Sequence, residues 1–542
     1  MYWADELAAR VSGPQVVNDS KTPSGTVHVG SLRGPVMHDA IARALRDRGI
    51  PVQFRYGVED MDAMDAQALL TPDAVERYMG VPLSRVPAPE GSSAENYARH
   101  FVGTLFFPTF ARLGIRPEFY WLSEIYPTGQ LDPFIRTALD KAQVIRDLYV
   151  RVSSVERPAG WLPIQAICEA CGRVGTTLSD DWDGETIRYR CLPDYVKWAQ
   201  GCGHEGRLAP FGGKAKMPFN VEWAAKWSLM GVTIEGCGKD LGTKGGSRDR
   251  SEAISREVFD REPPINVMYE FLNVDGKKMS TSKGLGAAVH SISESIPPEV
   301  LRFLFLRPRP NHAIDFDPAG SDAIPRLHDE YDRISAATAG KTVRGELPPD
   351  HERLQFFSQI ADSTAEAAKE VAAAWRPAFG QLSLLLQLPG VNVIERAAAE
   401  KGSPLTAAES AELNERIAAV TNWLRDYAPE EARIAVRPEL PTGAVAALSA
   451  EERAWLGALA PQIEAAIAAD AAALGSGDAW QALIFSAAKE AGLQPVRAFA
   501  SLYAAFLGRT NGPRAGWLLA AIDRTLILTR LRDAAAVQGV SA

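Results

Sequence analysis

The stretch VVNDSKTPSGTVHVG, residues 16–30, decides the fold because it leads from a short apolar run into a loop of small residues. Apolar residues then recur at helical spacing from Val36 to Leu45, and Gly49 stands where a helix C-terminus is expected. The run PVQFRYGV, residues 51–58, has the composition of a strand. Strand, loop, helix and strand in this order predict an α/β fold with a doubly wound parallel nucleotide-binding sheet, which binds its ligands at the carboxyl ends of the strands.

A second informative segment, KKMSTSKG, occupies residues 277–284 and combines cations with hydroxyl groups. Mobile cations of this kind can meet the charge that builds on a departing pyrophosphate. In the first segment, Gly25 and Gly30 let the backbone approach a ligand, and His28 can donate a hydrogen bond to a phosphate oxygen. Either segment alone fits a structural turn, but the two together predict a site for a nucleoside triphosphate.

Size and charge set broader bounds. The chain has 542 residues and a net charge of −9, so we expect several domains and no general affinity for nucleic acid. Local basic surfaces can still hold a polyanion, because charges interact over about 10 Å at physiological salt. The candidates are two arginine groups, which fit solvated helix faces equally well: Arg302, Arg307 and Arg309, and Arg509, Arg514, Arg524, Arg530 and Arg532.

The chain also lacks the sequence features of export and membrane insertion. Its first residues have neither the basic start nor the apolar stretch of a signal peptide. No apolar run reaches the roughly 18 residues that a membrane span requires. We therefore expect a cytoplasmic location and no membrane partner. We also expect the protein to be a monomer.

The spacing of the cysteines predicts a metal site. Cys168 and Cys171 form a C-x-x-C pair, Cys191 follows after 19 residues and Cys202 after ten more. Four thiolates in this arrangement predict a structural zinc knuckle. The long second interval leaves open a Cys3His site in which His204 replaces Cys191. The fifth cysteine, Cys237, is expected to be a buried free thiol.

The two loop segments, in this order, resemble the two signature motifs of class I aminoacyl-tRNA synthetases. The resemblance narrows to class I lysyl-tRNA synthetases and runs nearly end to end. Its further segments are Asp60-x-Asp62, Cys168-x-x-Cys171-Gly172, Asp181-Trp182-Asp183-Gly184, Glu222-Trp223-x-x-Lys226-Trp227, Gly238-Lys239-Asp240, Tyr269-Glu270, Asp329-Glu330-Tyr331-Asp332-Arg333 and Leu507-Gly508-Arg509. The resemblance implies ATP-dependent activation of lysine, with Mg²⁺, transfer of lysine to tRNA(Lys), and little pyrophosphate exchange without tRNA.

The resemblance and the side-chain chemistry assign three groups of site residues. The catalytic candidates are His28, Lys278 and Lys283. The ATP-binding candidates are Pro23, Ser24, Gly25, His28, Gly30, Lys278, Met279, Ser280, Thr281 and Ser282. The lysine-binding candidates are Ser20, Thr22, Asp60, Trp223, Asp240 and Tyr269, in which the two aspartates are chosen as acceptors for an ammonium group. Four departures from the family pattern cluster around this pocket: Ser20, Ser31, Gly34 and Leu241 stand where Gly, Asn, Glu and His are usual.

The predicted domain order follows the same pattern. Residues 1–164 are expected to form the first half of a Rossmann-type catalytic domain, with an insertion near 64–100, and residues 216–275 its second half. Between the two halves, residues 165–215 are expected to form a zinc-binding insertion. Residues 276–330 are expected to form the Lys-Met-Ser-Lys-Ser-type loop and stem-contact region, and residues 331–542 a helical, all-α anticodon-binding domain.

Two alternatives remain open at this stage. The long helical part disfavours a small-molecule adenylyltransferase, which has no need of it. The presence of His28 and Lys278 disfavours a non-aminoacylating, RNA-binding role, whereas the pocket departures leave open a synthetase-like paralogue with an altered substrate.

Overall fold

The computed structural model describes residues 1–25, 29–65, 69–274, 277–278, 292, 295–361, 364–388, 391–470 and 473–539. The chain forms two compact units. The first comprises residues 1–293, 298–316 and 337–372, and the second comprises residues 294–297, 317–336 and 373–542.

All the strands of the described chain belong to the first unit. They are β1 (Gln15–Lys21), β2 (Val52–Val58), β3 (Glu118–Trp121), β4 (Gln165–Ala166), β5 (Thr177–Asp180), β6 (Ile187–Cys191), β7 (Glu205–Leu208), β8 (Ala215–Lys216), β9 (Cys237–Gly238), β10 (Met268–Tyr269), β11 (Leu272–Val274), β12 (Lys277–Lys278) and β13 (Ile314–Asp315). The helices of the first unit are α1 (Trp3–Ala8), α2 (Arg33–Asp47), α3 (Pro72–Tyr78), α4 (Tyr97–Phe101), α5 (Phe107–Arg112), α6 (Leu122–Ile125), α7 (Asp132–Asp140), α8 (Ala142–Ser153), α9 (Phe219–Met230), α10 (Ser247–Glu257), α11 (Pro298–Leu306), α13 (His351–Ser358) and α14 (Ala365–Ala373). The last residue of α14 belongs to the second unit. The helix α12 (Ala323–Thr338) lies mainly in the second unit.

The central sheet is parallel, as the sequence predicts. β1 pairs with β2 along its whole length, and β2 pairs with β3. On the other side of β1, Val17 forms a parallel bridge with Ile234, which bridges in turn to Ile265. The predicted helix is α2, and Gly49 follows it with φ +73°, a backbone conformation that favours glycine. This strand order places β1 in the middle, at the point where the chain changes direction across the sheet.

The apolar stretch of residues 265–272 forms separate short pairings and no continuous strand. Only Ile265, β10 and β11 make ladder contacts within this stretch. Between β10 and β11 the carbonyl of Glu270 accepts a hydrogen bond of 2.6 Å from Arg33, so it faces a side chain and not a neighbouring strand. A distant arginine, which periodicity does not reveal, therefore interrupts the strand.

The insertion predicted at residues 165–215 is a small β-rich module. β4 pairs with β8, and β5, β6 and β7 form an antiparallel sheet. Tyr189 and Cys191 of β6 are buried in it. We call residues 165–216 the four-cysteine module.

All the regular secondary structure in the described part of the second unit is helical. After α12 its helices are α15 (Phe379–Leu385), α16 (Val393–Lys401), α17 (Ala407–Asp426), α18 (Thr442–Ala446), α19 (Ala450–Ala469), α20 (Gly477–Glu490), α21 (Pro495–Leu507), α22 (Ala515–Ala521) and α23 (Arg524–Ala536). Capping boxes begin two of them, with Thr406 and Glu409 at α17 and Ser449 and Glu452 at α19. The helical C-terminal half agrees with the prediction.

The two units alternate along the chain, since residues 317–336 belong to the second unit and residues 337–372 to the first. Residues 337–372 return to the first unit because two buried arginines hold their backbone. Arg302 donates to the carbonyl of Phe357 at 2.8 Å, and Arg43 donates to that of Gln359 at 2.7 Å. Arg302 is fully buried and also pairs with Asp39 at 2.7 Å, so it is a structural residue and no part of a basic surface. Arg530, in the other predicted arginine group, is likewise buried and binds the carbonyls of Arg437 and Pro438.

Within the part of the chain that the structure describes, no helix combines the length and the apolar character that crossing a membrane requires.

Candidate active site

A cavity of about 320 Å³ lies at the carboxyl ends of the central strands. It opens where β1 ends, where Glu59 follows β2, and where residues 235–238 leave the sheet. Its walls are formed by Asp19, Ser20, Lys21, Thr22, Ser24, Glu59, Phe219, Trp223, Glu235, Gly236, Cys237, Gly238, Leu241 and Tyr269. This is the position at which a parallel α/β sheet binds its ligand.

Two of the three wall carboxylates each have an oxygen that accepts no hydrogen bond within the described residues. Glu59 is buried and pairs with Lys226 through Oε1, and its Oε2 has no hydrogen-bond partner among the described residues. Asp19 accepts from the main-chain N–H of Ser20 at 2.9 Å through Oδ1, and its buried Oδ2 likewise accepts no hydrogen bond within the described chain. Asp19 Oδ2 lies 3.4 Å from Nδ1 of His38, which forms an ion pair with it when the imidazole is protonated. Buried acceptors without partners are costly, which points to a cationic ligand.

In Glu235, the third wall carboxylate, both oxygens accept hydrogen bonds from other side chains. Its Oε1 accepts from Asn18 at 2.9 Å and from Trp223 at 3.1 Å, and its Oε2 accepts from Trp227 at 2.5 Å. Burial raises the pKa of Glu235, while Lys226 and Arg248 oppose that rise. These bonds fix the indole of Trp223, so Glu235 shapes the cavity wall and leaves the free acceptor sites to Asp19 and Glu59.

Aromatic rings supply the apolar part of the wall. The rings of Phe219 and Trp223 lie 5.2 Å apart, and Trp223 lies 5.3 Å from Trp227. The phenol of Tyr269 lies against Gly34, where an added Cβ would be only 2.7 Å from the phenol oxygen. The departure at Gly34 therefore makes room for Tyr269 in this position.

Four of the six predicted lysine-binding residues line this cavity. The structure brings Ser20, Thr22, Trp223 and Tyr269 together around the cavity, and Leu241 joins them.

The two predicted ammonium acceptors lie outside the cavity wall. The buried carboxylate of Asp60 accepts from the main-chain N–H of Ser123 at 2.9 Å and from its hydroxyl, and burial raises the pKa of Asp60 to about 6 despite these bonds. Asp240 is exposed to solvent. Alternation along the chain after β2 turns Glu59 toward the cavity and Asp60 away from it.

The nucleotide-binding prediction can be followed only in the described residues. Pro23, Ser24 and Gly25 follow β1, with Gly25 at φ +70°, and Gly30 lies in the 3-10 turn Val29–Leu32 that precedes α2. The backbone of Lys278 pairs with Asn273 in the β11–β12 hairpin. His28, Met279, Ser280, Thr281, Ser282 and Lys283 lie outside the described residues.

Sequence reasoning missed several wall residues and one anchor. Asp19, Lys21, Glu59 and Cys237 line the cavity, and burial lowers the pKa of Lys21 against the opposing charge of Asp19. The anchor is Arg33 at the start of α2, which donates to the carbonyls of Glu270 at 2.6 Å and His312 at 2.7 Å. The apolar character of the strand end suggested burial for Cys237, but nothing in the sequence pattern shows which buried residues face a ligand.

The four predicted zinc ligands lie together in the four-cysteine module. The Sγ atoms of Cys168, Cys171, Cys191 and Cys202 all lie within 4.8 Å of one another. The Cys168–Cys202 and Cys171–Cys191 pairs are each separated by 3.7 Å. A tetrahedral zinc ion with Zn–S bonds of about 2.3 Å requires sulfur atoms about 3.8 Å apart, so this donor set fits the ion. Within the described chain the cluster contains Cys191 and not the alternative ligand His204.

The chain is similar to known proteins over nearly its whole length. A family profile described as class I tRNA synthetases (K) matches residues 1–354. The lysine–tRNA ligase of Methanosarcina barkeri (strain Fusaro) is 32% identical and is covered over 98% of each chain. The lysine–tRNA ligase of Archaeoglobus fulgidus is 30% identical over 98% of this chain and 100% of that protein. A glutamate tRNA ligase structure from Elizabethkingia meningosepticum, at 14% identity, covers 97% of this chain and 100% of that chain with a TM-score of 0.41.

Proposed function

The chain belongs to the class I lysyl-tRNA synthetases, and on that premise we propose that it activates lysine with ATP and transfers it to tRNA(Lys). The observation that supports lysine most directly is a pair of buried carboxylate oxygens in the cavity wall, Glu59 Oε2 and Asp19 Oδ2, which accept no hydrogen bond within the described residues. Lysine carries two ammonium groups joined by an apolar stem. The cavity offers carboxylates for the charges and the rings of Trp223 and Tyr269 for the stem.

The reaction has two steps. In the first, the lysine carboxylate attacks the α-phosphorus of ATP, an anhydride bond forms, and pyrophosphate leaves with the bonding electrons. In the second, a ribose hydroxyl of the terminal adenosine of the tRNA attacks the carbonyl carbon, gives up its proton, and AMP leaves. Both steps depend on positioning and on neutralising negative charge.

The chain's own residues take distinct parts in the first step. The wall carboxylates hold the ammonium groups of lysine and leave its carboxylate available to attack ATP. His28 and Gly30 bind ATP, and Lys278, Ser280, Ser282 and Lys283 bind its phosphates, as the family motifs imply. Pro23, Gly25, Met279 and Thr281 complete the two loops. Mg²⁺ bound with ATP supplies further neutralisation of the phosphate charge.

The four-cysteine module holds zinc in a structural role. Its four sulfur atoms are spaced for tetrahedral zinc, and four protein ligands leave no open position for a substrate. The ion stabilises the module because it joins Cys191 of β6 to Cys168, which lies in a separate segment of the chain.

The helical second unit contacts the anticodon of the tRNA. This part of the proposal is supported by the similarity of the whole chain to lysine–tRNA ligases, since those relatives match it over 98% of its length.

The decisive experiment measures amino-acid-dependent ATP–pyrophosphate exchange and tRNA charging for all twenty amino acids, with and without tRNA(Lys). We expect charging of tRNA with lysine, and lysine-dependent exchange that requires tRNA. Charging with another amino acid and not with lysine would refute the substrate and would point to the departures at Ser20, Gly34 and Leu241 as the cause. Vigorous exchange without tRNA would contradict the class I lysine mechanism.

A further inference from the structure

A buried lysine lies directly behind the cavity wall. Lys216 is only 3% exposed, and its Nζ lies 3.0 Å from Asp62 Oδ1, 3.0 Å from Glu222 Oε1 and 3.3 Å from the carbonyl oxygen of Met217. Three acceptors match the three N–H donors of an ammonium group. A lysine with so little exposure is stable only when it is fully paired in this way.

One of these partners, Asp62, connects Lys216 to the cavity wall. The hydroxyl of Thr22 donates a hydrogen bond of 2.5 Å to Asp62 Oδ2, and Thr22 is part of the cavity wall. Asp62 therefore accepts from Lys216 with one carboxylate oxygen and from Thr22 with the other. Two contacts separate a buried cation from a side chain that faces the amino-acid pocket.

The backbone of Lys216 belongs to the four-cysteine module. Lys216 is paired in register with Gln165, and the N–H of Ile167 donates to the carbonyl of Lys214 at 2.9 Å. Cys168, the first cysteine of the cluster, follows immediately in the chain. The position of Lys216 is therefore set by the strand pair that carries the cluster.

The surrounding charges make this lysine difficult to replace. Glu59, Asp62 and Glu222 are three carboxylates close to two lysines, Lys216 and Lys226. Burial raises the pKa of Glu222 to about 7, although Lys216 opposes this rise. Without Lys216, Asp62 would lose its buried counter-ion and would be repelled by the remaining carboxylates, so it would no longer hold Thr22 in place.

We propose that Lys216 is a positioning residue for amino-acid binding, which acts through Asp62 on Thr22 and ties the four-cysteine module to the pocket. Its substrate readout rests on the proposed function. Lys216 touches no substrate itself, and it acts only by fixing the hydroxyl of Thr22 relative to the cavity.

The test compares Lys216→Met with Lys214→Met in the full-length enzyme. Lys214 is exposed and lies two residues away in the same segment, so it controls for the loss of a positive charge. We expect Lys216→Met to raise the KM for lysine about tenfold, with kcat and the KM for ATP changed by less than about threefold. Lys214→Met should leave all three unchanged.

A double-mutant cycle with Thr22→Val tests the route of action. If Lys216 acts through Thr22, the double variant should show a KM for lysine no more than about twofold above that of the worse single variant. Fully additive effects would overturn the proposal, because they would mean that Lys216 acts independently of Thr22.

Hydrogen–deuterium exchange gives a readout that needs no substrate. We expect residues 16–25 to exchange at least about fivefold faster in Lys216→Met than in the wild type or in Lys214→Met. Unchanged exchange there would overturn the proposal, even if the wild type failed to charge lysine and the proposed function were lost. Should Lys216→Met fail to fold, Asp62→Ala breaks the same connection and should give the same faster exchange, and unchanged exchange in that variant would equally refute it.

Discussion

The guanidinium of Arg33 donates a hydrogen bond of 2.6 Å to the main-chain carbonyl of Glu270. Arg33 begins α2, directly after the first signature segment, and Glu270 lies just before β11, which leads into Lys277 and Lys278. The same guanidinium also binds the carbonyl of His312 at 2.7 Å, and Arg33 is 1% exposed. One buried side chain thus joins the elements that carry the two signature segments.

Arg33→Lys should therefore impair both stability and adenylate formation. Lysine cannot reproduce the fork of donors that binds several carbonyls at once. We expect the free energy of unfolding to fall by about 2 kcal/mol and the rate of lysyl-adenylate formation to fall at least about tenfold. Urea denaturation and single-turnover kinetics measure the two effects, and Arg48→Lys at the exposed end of the same helix is the control. Normal adenylate formation by Arg33→Lys would show that the hydrogen bonds of Arg33 to these carbonyls have no role in catalysis.

Lys278→Ala should reduce the rate of adenylate formation by about 10²–10³ while the protein stays folded. The reason is that its cation meets the charge that develops on pyrophosphate. Pyrophosphate exchange measures the loss, and thermal melting monitors the fold. The exposed Lys214→Ala serves as the control. A Lys278→Ala enzyme that charges tRNA at the normal rate would disprove the assignment of the phosphate-binding loop.

Elemental analysis should find about one zinc ion per chain, and Cys168→Ser should lose it. Cys237 offers the matched control because it is the fifth cysteine and lies outside the cluster. Cys237→Ser should therefore keep its zinc. We also expect faster hydrogen exchange in residues 165–216 of Cys168→Ser, since the ion contributes to folding of the module. A wild-type protein free of zinc after purification without chelators would refute this prediction.

Neutralising Glu59 and Asp60 separately should distinguish their roles. Glu59→Gln should raise the KM for lysine at least about tenfold, because it removes a charged acceptor from the cavity wall. Asp60→Asn removes the neighbouring charge, but its carboxylate faces Ser123 and not the cavity. Steady-state kinetics with both variants should show a large effect on KM only for Glu59→Gln, and the opposite order would restore Asp60 as the ammonium acceptor.

Asp60 should also make stability depend on pH. Its pKa is about 6 in the folded protein, above its usual value of 3.8, so between these values the folded state binds more protons than the unfolded state. Stability from this group is therefore present at low pH and is lost as pH rises toward 6. Relative to Asp60→Asn, the wild type should lose about 1 kcal/mol of unfolding free energy between pH 5 and 7, and nothing further above pH 7. Denaturant titrations of both proteins across this range measure the difference, and a constant difference would contradict it.

The central fold was predictable because its signals are local. The alternation of strand, small-residue loop and helix between Val16 and Val58 reappears as β1, α2 and β2. The grouping of the four cysteines was also predictable, since the ligands of tetrahedral thiolate sites have a characteristic spacing in the sequence. The structure added the choice between Cys191 and His204, which depends on how β6 meets the turn that carries Cys202.

The sequence by itself determined the parallel sheet, the helical C-terminal half, the cysteine cluster and the membership of the family. Each of these depends on residues that lie close together in the chain or on motifs that follow one another in a fixed order. Only the tertiary structure decided that Glu59 rather than Asp60 faces the cavity, that Arg302 is a buried structural residue, and that Lys216 stands behind Thr22. The physical reason is that the direction of a side chain and the neutralisation of a buried charge depend on partners far away in sequence.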